Sequence, residues 1–216
     1  VGGVTGAAVI GSGRAASVVD LGNGTVLRRT NVPEDLEREA AVMRHALAHG
    51  YPVPRVVEVR SEGLVLERVH GRTMLAQIRR RPWRMHEYMR MLAELQRRLH
   101  VIDAPPGLPS AGPGANLIHL DFHPENVLLS AAGPVVIDWT NARRGDPALD
   151  VAMTWVIGAT SAGVLGRVLV RSYLQRQQMG RVRGALPLAA ERRLADPNVT
   201  DVERARVRRL VARETG

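Results

Sequence analysis

Two short stretches constrain this chain more than anything else in it. The first is His119-Leu120-Asp121-Phe122-His123-Pro124-Glu125-Asn126-Val127-Leu128-Leu129, and the second is Val135-Val136-Ile137-Asp138-Trp139. Val127–Leu129 and Val135–Ile137 are apolar runs of strand length, and Gly133-Pro134 between them is a turn signal. They predict a hairpin with Asn126 at the start of one strand and Asp138 at the end of the other. Asp121 stands in the loop just before. An Asp, an Asn and a second Asp offer only hard oxygen donors, a set that suits Mg²⁺ with bound phosphate and not zinc.

The spacing His119-x-Asp121-x-x-x-x-Asn126 is that of a kinase catalytic loop. With Ile137-Asp138-Trp139 and Gly145-Asp146-Pro147-Ala148-Leu149-Asp150-Val151-Ala152, it gives three motifs in one order. In these the chain resembles the aminoglycoside phosphotransferase and choline kinase family, the kinase-like small-molecule phosphotransferases. The resemblance implies a two-lobed protein-kinase-like α+β fold. A small N-terminal lobe, residues 1–70, would have an antiparallel sheet and one helix. A mainly helical C-terminal lobe, residues 71–216, would carry the catalytic loop and its metal hairpin. It implies ATP (GTP is not excluded) and Mg²⁺, with Asp121 as the base and Asn126 and Asp138 as metal ligands. Asp150 is expected to brace the loop, Asp146 to cap the following helix, and His119 to support the loop without reacting. His123 either touches phosphate or fills the bend.

Near the N-terminus, Gly11-Ser12-Gly13-Arg14-Ala15-Ala16 matches a dinucleotide fingerprint. That reading needs a crossover helix to follow. Ser17–Leu21 instead runs straight into Gly22-Asn23-Gly24, a tight-turn signature, and Thr25–Arg29 reads as the returning strand. No crossover helix fits the gap. Antiparallel strands with a glycine-rich bend suit a flap over nucleotide phosphates, because glycine admits close backbone approach. A plain surface hairpin is the alternative. The resemblance places Gly11, Ser12, Gly13 and Ser17 at the nucleotide.

The family's third strand carries a lysine that pairs with a helix glutamate. Here Arg28 or Arg29 is the expected substitute, a permanently charged fork with different geometry, and the match of Val26-Leu27-Arg28 to the family's Val-Leu-Lys favours Arg28. Its expected partner is Glu39, with Glu37 as a competitor. The helix predicted over 33–48 has Asn31 as its cap, Pro33, Glu34 and Asp35 in its first turn, and an apolar stripe of Leu36, Ala40, Met43 and Leu47. Gly50 ends it. Arg55–Val59 and Leu64–Val69 predict two further strands. The second resembles the family's hinge, which places Glu67, Arg68 and Val69 along the nucleotide cleft; a plain edge strand is the alternative.

Arg72–Arg80 and Trp83–Val101 have helical period, broken by Pro82, with a core stripe of Met85, Met89, Leu92, Leu95 and Leu99. His100 is read as structural. Ala104–Gly114 is a loop of four prolines and three glycines. Beyond Asp150 four helices are predicted: the apolar stretch Val151–Gly166, then Gly166–Gln178, Leu186–Ala195 and Thr200–Arg213. The last opens on a Thr200/Glu203 capping box. Its arginines at 204, 206, 208, 209 and 213 read as a solvated face first and an anion-binding surface second.

All thirty basic residues are arginine, and the formal net charge is +9. That balance admits a nucleic-acid partner, but at 3% aromatic residues the chain has few stacking platforms for single strands. Cysteine is absent, which excludes a disulfide framework and thiolate metal sites and fits a reducing cytosol. No signal peptide and no membrane span are read from the sequence. Zinc hydrolase and serine hydrolase readings fail: Pro124 follows His123 at once, and no Gly-x-Ser-x-Gly elbow is present.

The expected function is transfer of the ATP γ-phosphate to a hydroxyl of a small molecule, with no nucleic-acid or membrane partner. The arginine-rich C-terminal segment points to a neutral or anionic alcohol and away from an aminoglycoside. A degenerate nucleotide-binding module and a basic nucleic-acid binder are the alternatives. Nothing in the sequence reads on oligomeric state.

Overall fold

The computed structural model describes residues 9–12, 16–30, 35–161 and 163–215. In chain order the first elements are β1 (Val9–Ser12), β2 (Ala16–Asp20), β3 (Thr25–Thr30), α1 (Leu36–Ala48), β4 (Val56–Arg60), β5 (Gly63–Glu67) and β6 (Gly71–Thr73). Then come α2 (Met74–Arg80), α3 (Met85–Leu99), β7 (Asn116–Ile118), β8 (Val127–Ser130), β9 (Gly133–Val136) and β10 (Arg143–Gly145). Four helices follow: α4 (Pro147–Ser161), α5 (Gly163–Leu174), α6 (Met179–Ala195) and α7 (Asp201–Thr215). The chain divides into two compact units, Val1–Gly71 with Leu128–Thr140, and Arg72–Val127 with Asn141–Gly216. The first unit thus takes in the hairpin after loop 119–126 as well as the N-terminal residues.

In the first unit, five antiparallel strands pair in the order β1-β2-β3-β5-β4. Side chains alternate across such a sheet. Val19, Leu27 and Val65 lie opposite one another in the register and form a small buried cluster with Leu21 against it. Arg28, one residue on from Leu27, therefore points to the other face. Helix α1 packs on β4 and β5. Gly63 sits where β5 passes β3: a Cβ there would lie 2.0 Å from the Arg28 carbonyl oxygen. The β8–β9 hairpin joins this unit through Val136 N–H, which donates to the Pro52 carbonyl at 2.8 Å, and through an edge-on contact of Tyr51 with Trp139.

Several boundaries move from those read in the sequence. Helix α1 starts at Leu36, and its cap is Asp35, whose carboxylate accepts the Arg38 N–H. Asn31, Pro33 and Glu34 lie outside the described residues. Leu47 does not belong to the buried stripe and is exposed, because the inward face runs through Glu39, Ala40, Val42, Met43 and Ala46. Gly133 and Pro134 are the first residues of β9, and the turn is Ala131-Ala132. Ser130 stabilises that turn by accepting the Ala132 N–H and donating to the Gly133 carbonyl.

The second unit is built on α4, whose residues are buried along most of its length. Helices α5, α6 and α7 all pack against it. Each aliphatic side chain so buried contributes roughly 1.5–3 kcal/mol over its exposed state. Helix α3 buries Met89, Leu92, Leu95 and Leu99 as the period predicts, while Met85 is half-buried. Gln96 of α3 donates to Thr154 of α4 and accepts the Tyr173 hydroxyl of α5, which fastens three helices through one buried amide. Helix α6 begins at Met179, earlier than read, and runs through Pro187. Proline ordinarily stops a helix, but here buried Val182, Leu186, Ala189 and Ala190 hold both sides of it against the core. The Thr200/Glu203 capping box forms at the start of α7. Among the described residues no helix is long and apolar enough to cross a membrane.

Candidate active site

The loop 119–126 lies in the second unit. Leu120 has φ 63, a left-handed conformation that costs a non-glycine residue free energy and needs outside support. Asp150, fully buried at the start of α4, supplies that support. Its Oδ1 accepts the Leu120 N–H at 2.6 Å and its Oδ2 lies 2.8 Å from His100 Nε2. Thr154, one turn further on, donates to the Phe122 carbonyl at 2.8 Å. Burial pushes the Asp150 carboxyl up, but the His100 hydrogen bond and charge, the His119 charge and the Leu120 N–H outweigh it and hold the group below the ordinary carboxylate value. His119 is fully buried, packs edge-on to Phe122, and accepts the Asp121 N–H at Nδ1.

Asp121 is thereby held half-buried at the loop's tip. Its Oδ2 accepts the Asn126 amide at 3.0 Å, and its Oδ1 lies 3.4 Å from His123 Nε2. His123 Nδ1 accepts the Glu125 N–H, so in the neutral ring the proton sits on Nε2, facing Asp121. Burial raises the Asp121 carboxyl, yet the His123 hydrogen bond, the charges of His123 and His119 and the Asn126 amide bring it below its ordinary value. The Asn126 nitrogen also donates to the Asp121 carbonyl at 2.9 Å. With its nitrogen turned into the loop, Asn126 keeps its side-chain oxygen out of those bonds.

A second cluster lies in the first unit, on the face of β3 opposite to Leu27. Arg28 Nη1 donates to Glu39 Oε2 at 3.1 Å, and its Nη2 reaches Thr140 Oγ1 at 2.9 Å and Asp138 Oδ1 at 3.3 Å. Glu39 is buried in α1, and its other oxygen accepts the Trp139 N–H at 3.3 Å. Glu37, the competing partner, is exposed. Asp138 has φ 65, a conformation that aspartate tolerates better than most residues, and its side chain is 41% exposed.

Of the expected nucleotide residues, Gly11 and Ser12 lie in β1, and Ser12 pairs with Ser17 of β2; Gly13 lies outside the described residues. Glu67 ends β5 with its N–H on the Arg55 carbonyl, and Arg68 follows with its N–H on the Gly24 carbonyl and its guanidinium on Asp20. Val69 is half-buried. The structure thus brings Asp121, Asn126 and His123 together in one unit, and Arg28, Glu39 and Asp138 in the other. Among the described residues no three His, Asp or Glu side chains group as a metal site; the expected pair of ligands includes an amide. Thr140 and Thr154 were missed by sequence reasoning. Thr140 follows Asp138 by two positions, a spacing that marks a hydroxyl able to return to that carboxylate.

Comparison with known proteins gives the same direction. The model of a family described as the phosphotransferase enzyme family matches residues 6–117 and 115–185. A thermostable mutant of aminoglycoside phosphotransferase APH(4)-Ia, solved in ternary complex with ADP and hygromycin B, superposes with a TM-score of 0.71 at 18% identity, covering 98% of this chain and 95% of that one. A choline/ethanolamine kinase family protein from Mesorhizobium loti gives 0.63 at 21% identity, over 99% of this chain and 88% of its own. At such identities the likeness is one of fold, and it is the kinase-like fold expected. Thiamine kinases of Salmonella strains are 46% identical over 39 residues, which is 18% of this chain and only 14% of theirs.

Proposed function

This chain belongs to the phosphotransferase enzyme family, and from that premise we propose that it transfers the γ-phosphate of ATP to a hydroxyl of a small molecule. The observation that carries the reading is the Asp121 loop. Asp121 is kept ionised below its ordinary range, oriented through both oxygens by His123 and Asn126, and anchored through Leu120 and Phe122 to α4. Phosphoryl transfer asks a protein mainly for positioning and electrostatics, and a fixed carboxylate does both. The Asp121 carboxylate orients the acceptor hydroxyl and takes its proton as the acceptor oxygen bonds to the γ-phosphorus. The bond from that phosphorus to the β,γ-bridging oxygen breaks, and ADP leaves.

The chemistry of the donors fits magnesium. Asn126 keeps its side-chain oxygen outside the loop's own bonds, and Asp138 is a part-exposed carboxylate. We assign these two as its ligands. Magnesium, when bound, neutralises charge on the phosphate oxygens. Arg28 is assigned to the nucleotide phosphates, with Glu39 setting its fork, and the strands β1 and β2 to the flap above them. The acceptor is a small alcohol. The relatives named above frame the screen: thiamine, choline and hygromycin B, set against neutral and anionic alcohols.

The test is ATP turnover with Mg²⁺ across that screen, for the unmutated protein and for Asp121→Ala. Acceptor-dependent ADP release that disappears in the variant, with Mg-ATP binding retained by calorimetry, is the expected result. A second reading, a nucleotide-binding module without turnover, draws on Arg28, whose Nη2 engages Asp138 at 3.3 Å. Binding without phosphorylation of any acceptor would favour it and overturn the first.

A further inference from the structure

We propose that the helical unit carries a second ligand site, a basic pocket on the opposite side of α4 from the catalytic loop, which binds an organic anion with an apolar body. The pocket has a volume of about 980 Å³ and is formed by α4, α5, α6 and α7, all within the second unit. That is the upper part of the range for small-molecule sites.

Two helices write the same pattern into its wall. On α5, Arg167, Val170, Arg171 and Leu174 recur at i, i+3, i+4 and i+7; on α7, Arg206, Arg209, Leu210 and Arg213 do the same. That spacing puts each set on one helical face. Both faces are therefore mixed, with apolar side chains between guanidinium groups. Arg183 of α6 adds a sixth arginine, and Trp155 of α4 is buried at the base. Gly158 lets α5 close on α4 beneath it, since a Cβ there would lie 2.2 Å from Val170 Cγ2.

The charge is not balanced from within. Glu214 is the one carboxylate among the lining residues, and it already lies 3.5 Å from Arg183 and 3.0 Å from Arg213. Arg206 donates to the Thr160 carbonyl, a neutral group. The guanidinium groups of Arg167, Arg171 and Arg209 make no hydrogen bond or ion pair with the described residues. The contrast on the same helix is Arg204, which is turned away from the pocket and spent on the Leu194 and Asp196 carbonyls at the end of α6. Guanidinium groups gathered over an apolar base repel one another until an anion enters, and they bind phosphate, sulfonate or carboxylate through paired N–H donors. A simple inorganic anion would leave the apolar base unused.

The pocket is not the acceptor site. Asp150 and Thr154 lie one above the other on the α4 face that holds Leu120 and Phe122. Trp155 and Ala159, which line the pocket, stand roughly 100° to 180° around the helix from them at 3.6 residues per turn. A ligand seated there is separated from Asp121 by the body of α4. The site is thus independent of the proposed phosphoryl transfer.

The test is fluorescence titration of the full chain with 1-anilinonaphthalene-8-sulfonate, an organic anion with an aromatic body, in the presence and absence of Mg-ATP. The expected result is saturable binding that Mg-ATP does not displace. The double variant Arg171→Ala/Arg209→Ala should weaken it by roughly tenfold, the scale of losing charge-assisted hydrogen bonds. Arg90→Ala/Arg208→Ala, two exposed arginines outside the pocket with the same total charge change, should leave it unaltered. All four side chains are exposed, so folding is not at risk. Pyrophosphate, which has no apolar body, should compete poorly. Displacement by Mg-ATP, equal weakening in both double variants, or full competition by pyrophosphate would overturn the proposal. So would binding confined to phosphatidylglycerol vesicles, which would make the surface a membrane contact.

Discussion

The Arg28 cluster of the first unit and the Asp121 loop of the second hold their charged groups by different means. Arg28 is balanced by full charges, Glu39 buried beneath it and Asp138 beside it. Asp150 and Asp121 are balanced largely by imidazole rings, an amide and main-chain N–H groups. A buried ion pair is lost all at once when one partner goes, because the other is stranded without water. A carboxylate held mainly through hydrogen bonds to rings, amides and main-chain N–H groups keeps most of its fold when trimmed to an amide, but its ionisation, and whatever depends on it, changes. The first arrangement is therefore vulnerable in stability and the second in chemistry and pH response.

The sharpest way to break that contrast is Asp121→Asn. The amide keeps an oxygen for Asn126 but takes no proton. Phosphoryl transfer should fall by roughly 10²- to 10⁴-fold, the scale of a lost general base, while the urea midpoint stays near that of the unmutated protein. Turnover at an unaltered rate would remove Asp121 from the chemistry.

Glu39→Ala should do the reverse of that in stability. It takes the buried carboxylate from Arg28, whose side chain is only 11% exposed, while Asp138 and Thr140 stay beside it. The expected loss is about 3–5 kcal/mol in chemical denaturation, as for other buried pairs broken on one side. A loss under about 1 kcal/mol would show that water reaches Arg28 and that the two clusters differ less than their geometry implies.

Asp150→Asn probes the pH side. Its carboxyl is held below the ordinary value in the folded state. A group shifted that way adds stability above its unfolded pKa, near 4, and loses it as pH falls through the folded value. The unmutated protein should therefore show a falling urea midpoint below about pH 4. The variant should start lower at neutral pH and fall less steeply on acidification. Parallel curves would mean that Asp150 does not govern the acid limb. The smallest effect is expected from Thr140→Val, which removes the hydroxyl shared by Arg28, Glu39 and Asp138. It should cost about 1 kcal/mol, a single hydrogen bond in a network that otherwise survives.

Much of the loop was legible because its parts are close in sequence. His119, Asp121, His123 and Asn126 lie within eight residues, and Asn126 bonds back over five positions. The Arg28–Glu39 pairing was read from a resemblance and is seen in the geometry. Thr140 was not read, because its partners at 28 and 39 are more than a hundred positions away. The start of α1 at Leu36 and the run of α6 through Pro187 were misread for opposite reasons. In the first, Asp35 takes the cap through its carboxylate; in the second, packing on α4 overrides the breaker.

From the order of its residues alone, this chain specified an N-terminal hairpin, an oxygen-donor loop and a helical C-terminal part, because those depend on period and on contacts between near neighbours. Tertiary structure decided which glutamate meets Arg28 and which buried carboxylate steadies Leu120. It also decided that the scattered arginines of three helices face one pocket. Each of these joins groups on separate elements, and no local pattern encodes the angle at which two helices or strands meet.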